Sequence, residues 1–110
     1  MDVVELVIAD RDSEIVLELF DEGELYDFAG ATRVQIEIVG KGISVDSEAK
    51  PGMIVWDEAK GLLRLRLGAA GLPIGKHQEV RVIVFKPEHP NGRPILHEES
   101  PVRLVLRVKR

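Results

Sequence analysis

The amino-acid sequence predicts one all-β domain, an antiparallel β-sandwich that spans residues 1–110. Apolar and polar residues alternate with period two in six segments, as half-buried strands require. Clusters of Gly, Asp, Asn and Pro separate the segments at the spacing of a sandwich or barrel. Strands do not alternate with helical patterns, so a parallel nucleotide-binding sheet is not expected.

Six strands are predicted from the residues on their inward faces. In chain order these residues are Val4, Leu6 and Ile8; Ile15, Leu17 and Leu19; Val34, Ile36 and Ile38; Leu63, Leu65 and Leu67; Val80, Val82 and Val84; and Val102, Leu104, Leu106 and Val108. Two shorter pieces, Ile43–Val45 and Met53–Trp56, bring the expected number of strands to seven or eight. One short helical turn is expected within Leu67–Gly75, because glycines and Pro73 limit it to about one turn.

A turn-like run, Asp27–Ala31, precedes the third strand. Gly30 can take a backbone conformation that is closed to other residues, and Asp27 can close the turn through its side chain. Tyr26 and Phe28 are expected to pack between the sheets. The run is therefore expected to be a corner of the fold rather than a catalytic site.

The net charge of −4 combines an acidic first half with a basic second half. Residues 1–58 carry 4 Lys and Arg against 15 Asp and Glu, a net charge of −11, and residues 59–110 carry 11 against 4, a net charge of +7. Acidic strands of the first half could lie beside basic strands of the second. Alternatively, an acidic face could meet a basic face between subunits, head to tail. The two interpretations are compatible.

Composition and candidate motifs exclude several classes of site. The chain has no cysteine, no apolar run near the roughly 20 residues of a membrane span, and no basic start of a secretory signal. Asp10, Asp12 and Glu14 are spaced like the start of a calcium loop, but its glycine is missing and a hairpin turn explains them. Gly71–His77 contains Gly-Lys, but no Ser or Thr follows Lys76 and a strand comes next. We expect no metal, no cofactor, no cofactor-binding residue and no membrane partner.

The histidines are the candidate general bases. His77, His89 and His97 each lie in or beside a predicted loop, so solvent-facing side chains are expected. A small enzyme would need one of them beside a carboxylate in a closed pocket. The serines lack a nucleophile elbow. We expect no catalytic residue and no enzymatic activity.

Trp56 leaves three interpretations open: a core residue, the anchor of a protein interface, or a stacking platform for a sugar. Asp57 and Glu58 follow it, as a carboxylate pair would in a sugar site. With Tyr26, an exposed Trp56 would form the platform of the alternative function, a carbohydrate or cell-surface ligand-binding module.

The outward faces of the later strands carry six cations, Arg64, Arg66, Arg81, Arg103, Arg107 and Lys109. Contiguous cations could bind nucleic acid by neutralising phosphates. However, aromatic residues for stacking are few and the whole chain is acidic, so no nucleic-acid partner is expected. The interface candidates are Trp56, Arg64, Arg66, Arg81, Arg103 and Arg107.

Two segments resemble the N-terminal domains of phage baseplate upper proteins and related phage tail modules. In residues 15–40, a strand and the turn Asp21–Gly23 lead to the corner Asp27–Thr32 and an alternating strand. In residues 61–97, a strand leads to a turn ending in Leu-Pro-x-Gly, a further strand and a hairpin that contains glycine. Phe28 and Ala29 stand where those domains have Leu-Thr. The similarity covers about two thirds of the chain as a pattern.

This resemblance implies an immunoglobulin-like β-sandwich without catalytic residues that holds other virion proteins. We therefore expect a non-enzymatic phage virion structural or assembly component, located in the tail, baseplate, neck or capsid surface. Its partners would be other virion proteins and itself as a homo-oligomer, engaged through sheet edges, termini and charged faces. It would be produced in the host cytoplasm and located in the virion.

Overall fold

The alternating segments form strands in the computed structural model, which describes residues 2–58 and 60–110. The strands are β1 (Asp2–Ile8), β2 (Glu14–Glu18), β3 (Phe20–Asp21), β4 (Glu24–Leu25), β5 (Arg33–Ile38), β6 (Ile43–Asp46), β7 (Ile54–Asp57), β8 (Leu62–Arg66), β9 (Gly75–His77), β10 (Val80–Lys86), β11 (His89–Leu96) and β12 (Arg103–Lys109). Within those ranges the helical structure is one 3-10 turn at Val39–Lys41. The predicted all-β class is confirmed.

The strands pair into three larger sheets and a hairpin. Two sheets are antiparallel, with the orders β2-β8-β7 and β11-β10-β5-β6. The third has the order β1-β12-β9, in which β1 runs parallel to β12. β3 and β4 form the hairpin. The described residues contain twelve strands rather than seven or eight, because β3, β4, β9 and β11 lack the alternating pattern that predicts a strand. The immunoglobulin-like sandwich stays a prediction.

The inward side chains of the different sheets meet in one hydrophobic cluster. The predicted inward sets of β2, β5, β8 and β10 are buried: Ile15, Leu17, Leu19, Val34, Ile36, Ile38, Leu63, Leu65, Leu67, Val80, Val82 and Val84. Burying each such side chain contributes about 1.5–3 kcal/mol. The period-two alternation of these segments therefore identifies the core correctly.

The prediction for β1 is wrong by one residue. Val7 is buried, whereas Val4 and Leu6 are exposed. The parallel register explains the difference, because Val7 lies beside Val108, whose side chain is buried. The last predicted strand also begins later than expected, so Val102 lies outside β12 and is exposed.

The corner before β5 forms as predicted. The Ala29 N–H donates to Asp27 Oδ1 over 2.9 Å, and Gly30 has a φ of +81°. Tyr26 and Phe28 are buried and meet edge to face, with ring centroids 4.8 Å apart. The location of the helical turn differs from the prediction. Residues 68–71 form a non-helical turn, and the 3-10 turn lies at Val39–Lys41.

Candidate protein-binding surfaces

The outer face of the β1-β12-β9 sheet carries apolar and cationic side chains in rows. Leu6, Arg107 and Lys76 are register partners across the three strands. In the neighbouring row, Ile8 pairs with Lys109. The name basic face is used below for the surface formed by Val4, Leu6, Ile74, Lys76, Arg107 and Lys109.

The apolar side chains of the basic face are open to solvent. Val4 is 53% exposed, Leu6 44% and Ile74 52%. Val4 and Ile74 help to line a shallow depression of about 520 Å³ together with the three cations. β1 pairs with β12 along one edge, and no other strand of the described residues pairs with its second edge. An open strand edge therefore adjoins an exposed apolar surface, an arrangement that favours protein contacts.

The cations of the basic face lack acidic partners among the described residues. Most ion pairs join the acidic first half to the basic second half, as in Arg103 with Asp2 at 2.8 Å. The expected pairing of acidic with basic strands is thus present. Lys76, Arg107 and Lys109 take no part in the ion pairs of residues 2–58 and 60–110. Their charge is available to a partner.

The β3–β4 hairpin carries acidic side chains at and beside its turn, and two exposed apolar side chains on one face. Phe20 and Leu25 are cross-strand partners and are 55% and 47% exposed. Glu22 and Gly23 connect the strands, with φ values of +53° and +84° that suit a type I′ hairpin turn. The name hairpin tip is used below for the surface formed by Phe20, Glu22, Glu24 and Leu25. Within the described part of the chain, Glu22 and Glu24 form no ion pair.

The hairpin is fixed to the rest of the fold at its base. Asp21 Oδ2 lies 3.0 Å from Arg93 Nη1 of β11. The Tyr26 N–H donates to the Leu19 carbonyl oxygen over 2.8 Å and closes the base. Beside the hairpin lies a polar cleft of about 460 Å³, where Lys86 Nζ sits 4.9 Å from the centre of the Tyr26 ring. Burial raises the pKa of Tyr26 above its usual value.

Arg64 and Arg66 lie on the β2-β8-β7 sheet and bind the same carboxylate. Arg64 Nη1 lies 3.0 Å from Glu14 Oε1, and Arg66 Nε lies 3.2 Å from Glu14 Oε2. Hydrogen bonds from Arg64 and then Arg66 lower the pKa of Glu14. These two interface candidates therefore have an internal partner, although both remain exposed.

The remaining interface candidates lie on other strands. Arg81 of β10 binds Glu98 at 2.6 Å and Glu37 at 3.5 Å. The hydrogen bond from Arg81 lowers the pKa of Glu98 to about 2. Arg103 and Arg107 lie on β12, where Arg103 binds Asp2 and Arg107 belongs to the basic face. The structure therefore distributes the five arginines over three strands and leaves Arg107 without an ion pair among the described residues.

Trp56 is neither fully buried in the core nor fully exposed at the surface. It is half-buried, and its ring stacks on Phe28 with centroids 6.4 Å apart and an interplanar angle of 24°. Tyr26 is buried, as expected for the corner, and therefore does not form the exposed platform that the alternative function needs. The aromatic side chains instead form a packed series around Phe28.

The histidines lie on separate segments of the chain. His77 is in β9 and is buried, which corrects the expectation of a solvent-facing side chain. Its Nε2 lies 2.8 Å from the Pro73 carbonyl oxygen. His89 begins β11, and His97 follows it and accepts a hydrogen bond at Nδ1 from the Glu99 N–H. Residues 2–58 and 60–110 contain no group of three or more His, Asp or Glu that could hold a metal ion.

Neither the basic face nor the hairpin tip is evident from the alternating pattern. In β1, apolar residues occupy both faces, so the sequence does not show which face is open. Phe20 and Leu25 sit in strands too short to show a period. The one available signal is the charge asymmetry between the halves of the chain, which predicts an acidic and a basic contact surface without locating either.

Comparison of the chain with protein-family models, curated proteins and solved structures yields no match. In the described residues, no helix is both long and apolar enough to cross a membrane.

Proposed function

We propose that the chain is a non-enzymatic assembly component of a phage particle that holds neighbouring proteins by surface contact. The observation that carries this proposal is the basic face, where three exposed apolar side chains lie among three cations that form no ion pair within the described residues. The β1 edge of this sheet is not paired by any strand described. Water is displaced from such apolar side chains when a partner covers them, which favours association.

The mixture of apolar and charged groups suits a protein partner. Apolar contact supplies affinity, while the cations select an acidic partner and set its orientation. The open β1 edge can also accept a strand from a neighbour. Arg103 and Asp2 border the same face as an internal ion pair, so its positive charge is concentrated at Lys76, Arg107 and Lys109.

The phage setting is supported by the resemblance of residues 15–40 and 61–97 to baseplate and tail modules. The strand orders β2-β8-β7 and β11-β10-β5-β6, with an N-terminal strand parallel to the C-terminal one, support the immunoglobulin-like sandwich that this resemblance implies. Domains of this architecture serve many functions, so the setting requires its own test.

Quantitative mass spectrometry of purified particles tests the setting. The chain should be present in washed virions of the phage that encodes it, at a copy number similar to other tail or capsid proteins. Its absence from particles, despite its presence in infected cells, would contradict the proposal.

A plasmid-supplied variant tests the surface. Leu6→Asp with Arg107→Glu should fold but fail to enter particles. The control is Val16→Asp with Lys50→Glu, which makes the same change in net charge elsewhere, because Val16 is 46% exposed on the β2-β8-β7 sheet. Equal incorporation of both variants would show that the basic face is not used.

A further inference from the structure

We infer that the partner of the basic face is the hairpin tip of a second copy of the same chain. This inference deepens the proposed function, on which it rests, by naming the partner. It follows from three properties of the two surfaces: opposite charge, matched apolar content and separate positions on the molecule.

The charges of the two surfaces are complementary. The hairpin tip presents Glu22 and Glu24, and the basic face presents Lys76, Arg107 and Lys109. None of these five takes part in an ion pair among the described residues. Most other charged residues of the strands form ion pairs within the chain, so the charges of these two clusters stay open to a partner.

The apolar groups are also matched. The hairpin projects Phe20 and Leu25 as a paired knob, and the basic face offers a shallow depression between Val4 and Ile74. Aromatic side chains are enriched at the centre of protein interfaces, within a polar rim. When the depression covers Phe20, the glutamates of the hairpin tip can lie beside the lysines and the arginine of the basic face. The apolar and the charged groups of both surfaces then gain partners in one contact.

The two surfaces lie at opposite ends of one stretch of chain. β9 forms part of the basic face, and Lys86 at the end of β10 lines the cleft beside the hairpin. Only Gln78 and Glu79 separate β9 from β10. The seven residues of β10 span about 20 Å from its Val80 end, near β9, to its Lys86 end at the cleft. A chain cannot readily cover its own basic face with its own tip.

Contact between two different surfaces leaves one free surface of each kind on every pair. Association therefore continues until the assembly closes on itself or remains an open chain. Such growth is an appropriate property for a repeated part of a particle.

Charge reversal gives a direct test by sedimentation velocity. The tip-reversed variant is Glu22→Lys with Glu24→Lys, and the face-reversed variant is Lys76→Glu with Arg107→Glu. The control, Lys50→Glu with Lys60→Glu, changes net charge as much as the face-reversed variant does. Circular dichroism and urea unfolding establish that each variant is folded.

The wild type and the control should associate between about 10 µM and 1 mM, the range of a weak contact, and added salt should weaken the association. Each reversed variant alone should associate at least about tenfold more weakly, because like charges then face each other. An equimolar mixture of the two reversed variants should recover association, because every contact between unlike partners again joins opposite charges.

A second pair of variants removes the apolar contact without changing charge. Leu25→Ser should weaken association, whereas Val55→Ser should not, although both side chains are 47% exposed in the wild type. This pair keeps the inference testable if a charge-reversed variant fails to fold.

A monomeric wild type at 1 mM, or a folded mixture of reversed variants that stays monomeric, would overturn the inference. Those results would leave the proposed function standing if particles still contain the chain and exclude the Leu6 and Arg107 variant, because the basic face would then bind a different virion protein. Absence from particles would instead contradict the proposed function, whatever the chain does in solution.

Discussion

Leu6 and Arg107 are register partners across the parallel β1–β12 pair, and both side chains point away from the core. An exposed leucine beside an arginine without an ion pair among the described residues contributes little to folding. Exposing the leucine side chain to water is unfavourable, and this cost is offset when a partner covers the side chain. The pair therefore links the fold to the proposed assembly role.

The orientation of β1 predicts opposite effects for neighbouring residues. Val7→Ala should lower the free energy of unfolding by about 2 kcal/mol, because Val7 is buried in the core cluster. Leu6→Ala should change it by less than about 0.5 kcal/mol, because its side chain is exposed. Urea denaturation measures both. The reverse order of effects would show that β1 buries the face carrying Val4 and Leu6.

The aromatic series offers a matched test with one residue type. Phe28→Ala should cost about 3–5 kcal/mol, because its side chain is completely buried between Tyr26 and Trp56. Phe20→Ala should cost less than about 0.5 kcal/mol, because Phe20 is exposed at the hairpin tip. If Phe28→Ala does not fold, Phe28→Leu should still lower the thermal midpoint more than Phe20→Leu does. Equal losses at the two positions would place Phe20 in the core.

Gly68 is required for close backbone packing. A Cβ at Gly68 would lie 1.9 Å from the Arg11 carbonyl oxygen and 2.7 Å from that of Ile8. The Asp10 N–H donates to the Gly68 carbonyl oxygen over 2.8 Å, so the backbone has little freedom to retreat. Gly68→Ala should cost about 3 kcal/mol or more.

Gly71→Ala is the control for Gly68→Ala. Gly71 has a φ of +73° but open space where a Cβ would be. Gly71→Ala should lower the free energy of unfolding by only about 1–2 kcal/mol, because the alanine is held in a left-handed backbone conformation. A Gly68→Ala protein as stable as Gly71→Ala would show that the turn at residues 9–11 can move aside.

The Arg81–Glu98 pair predicts a pH dependence. The pKa of Glu98 falls from 4.5 to about 2 because Arg81 donates hydrogen bonds to it. A carboxyl group with a lowered folded-state pKa stabilises the fold fully above its unfolded pKa, and this stabilisation is lost as pH falls toward 2. At pH 7, Glu98→Gln should therefore unfold at a lower urea concentration than the wild type.

The difference between Glu98→Gln and the wild type should narrow between pH 4.5 and about 2. Glu99→Gln is the control, since Glu99 is exposed and forms no ion pair in the described residues. If the urea midpoints of Glu98→Gln and the wild type differ by the same amount over this whole pH range, the Arg81 contact is not the cause of the difference.

Much of the core is predictable because the apolar or polar character of each strand residue determines whether it is buried. In β5 and β10, apolar residues fall on one face and polar ones on the other, so alternation alone identifies the buried set. The corner at Asp27 and Gly30 is predictable for a similar reason, because its chemistry is local.

The open face of β1 is not predictable in this way. Val3, Val4, Leu6 and Val7 give the strand two apolar faces. The choice between the faces depends on the register with β12, which lies about 100 residues away in the chain. Similarly, Arg64 and Arg66 are evident as outward cations, but their shared partner Glu14 is set by the β2–β8 pairing.

Lysine labelling of the free chain and of purified particles tests the central claim most directly. Acetylation followed by mass spectrometry reports the access of reagent to each lysine. If the basic face is covered in the assembly, Lys76 and Lys109 should be labelled in the free chain and protected in particles. Lys50, which is exposed outside the basic face, should be labelled in both. Equal labelling of Lys76 and Lys109 in the two states would contradict the account.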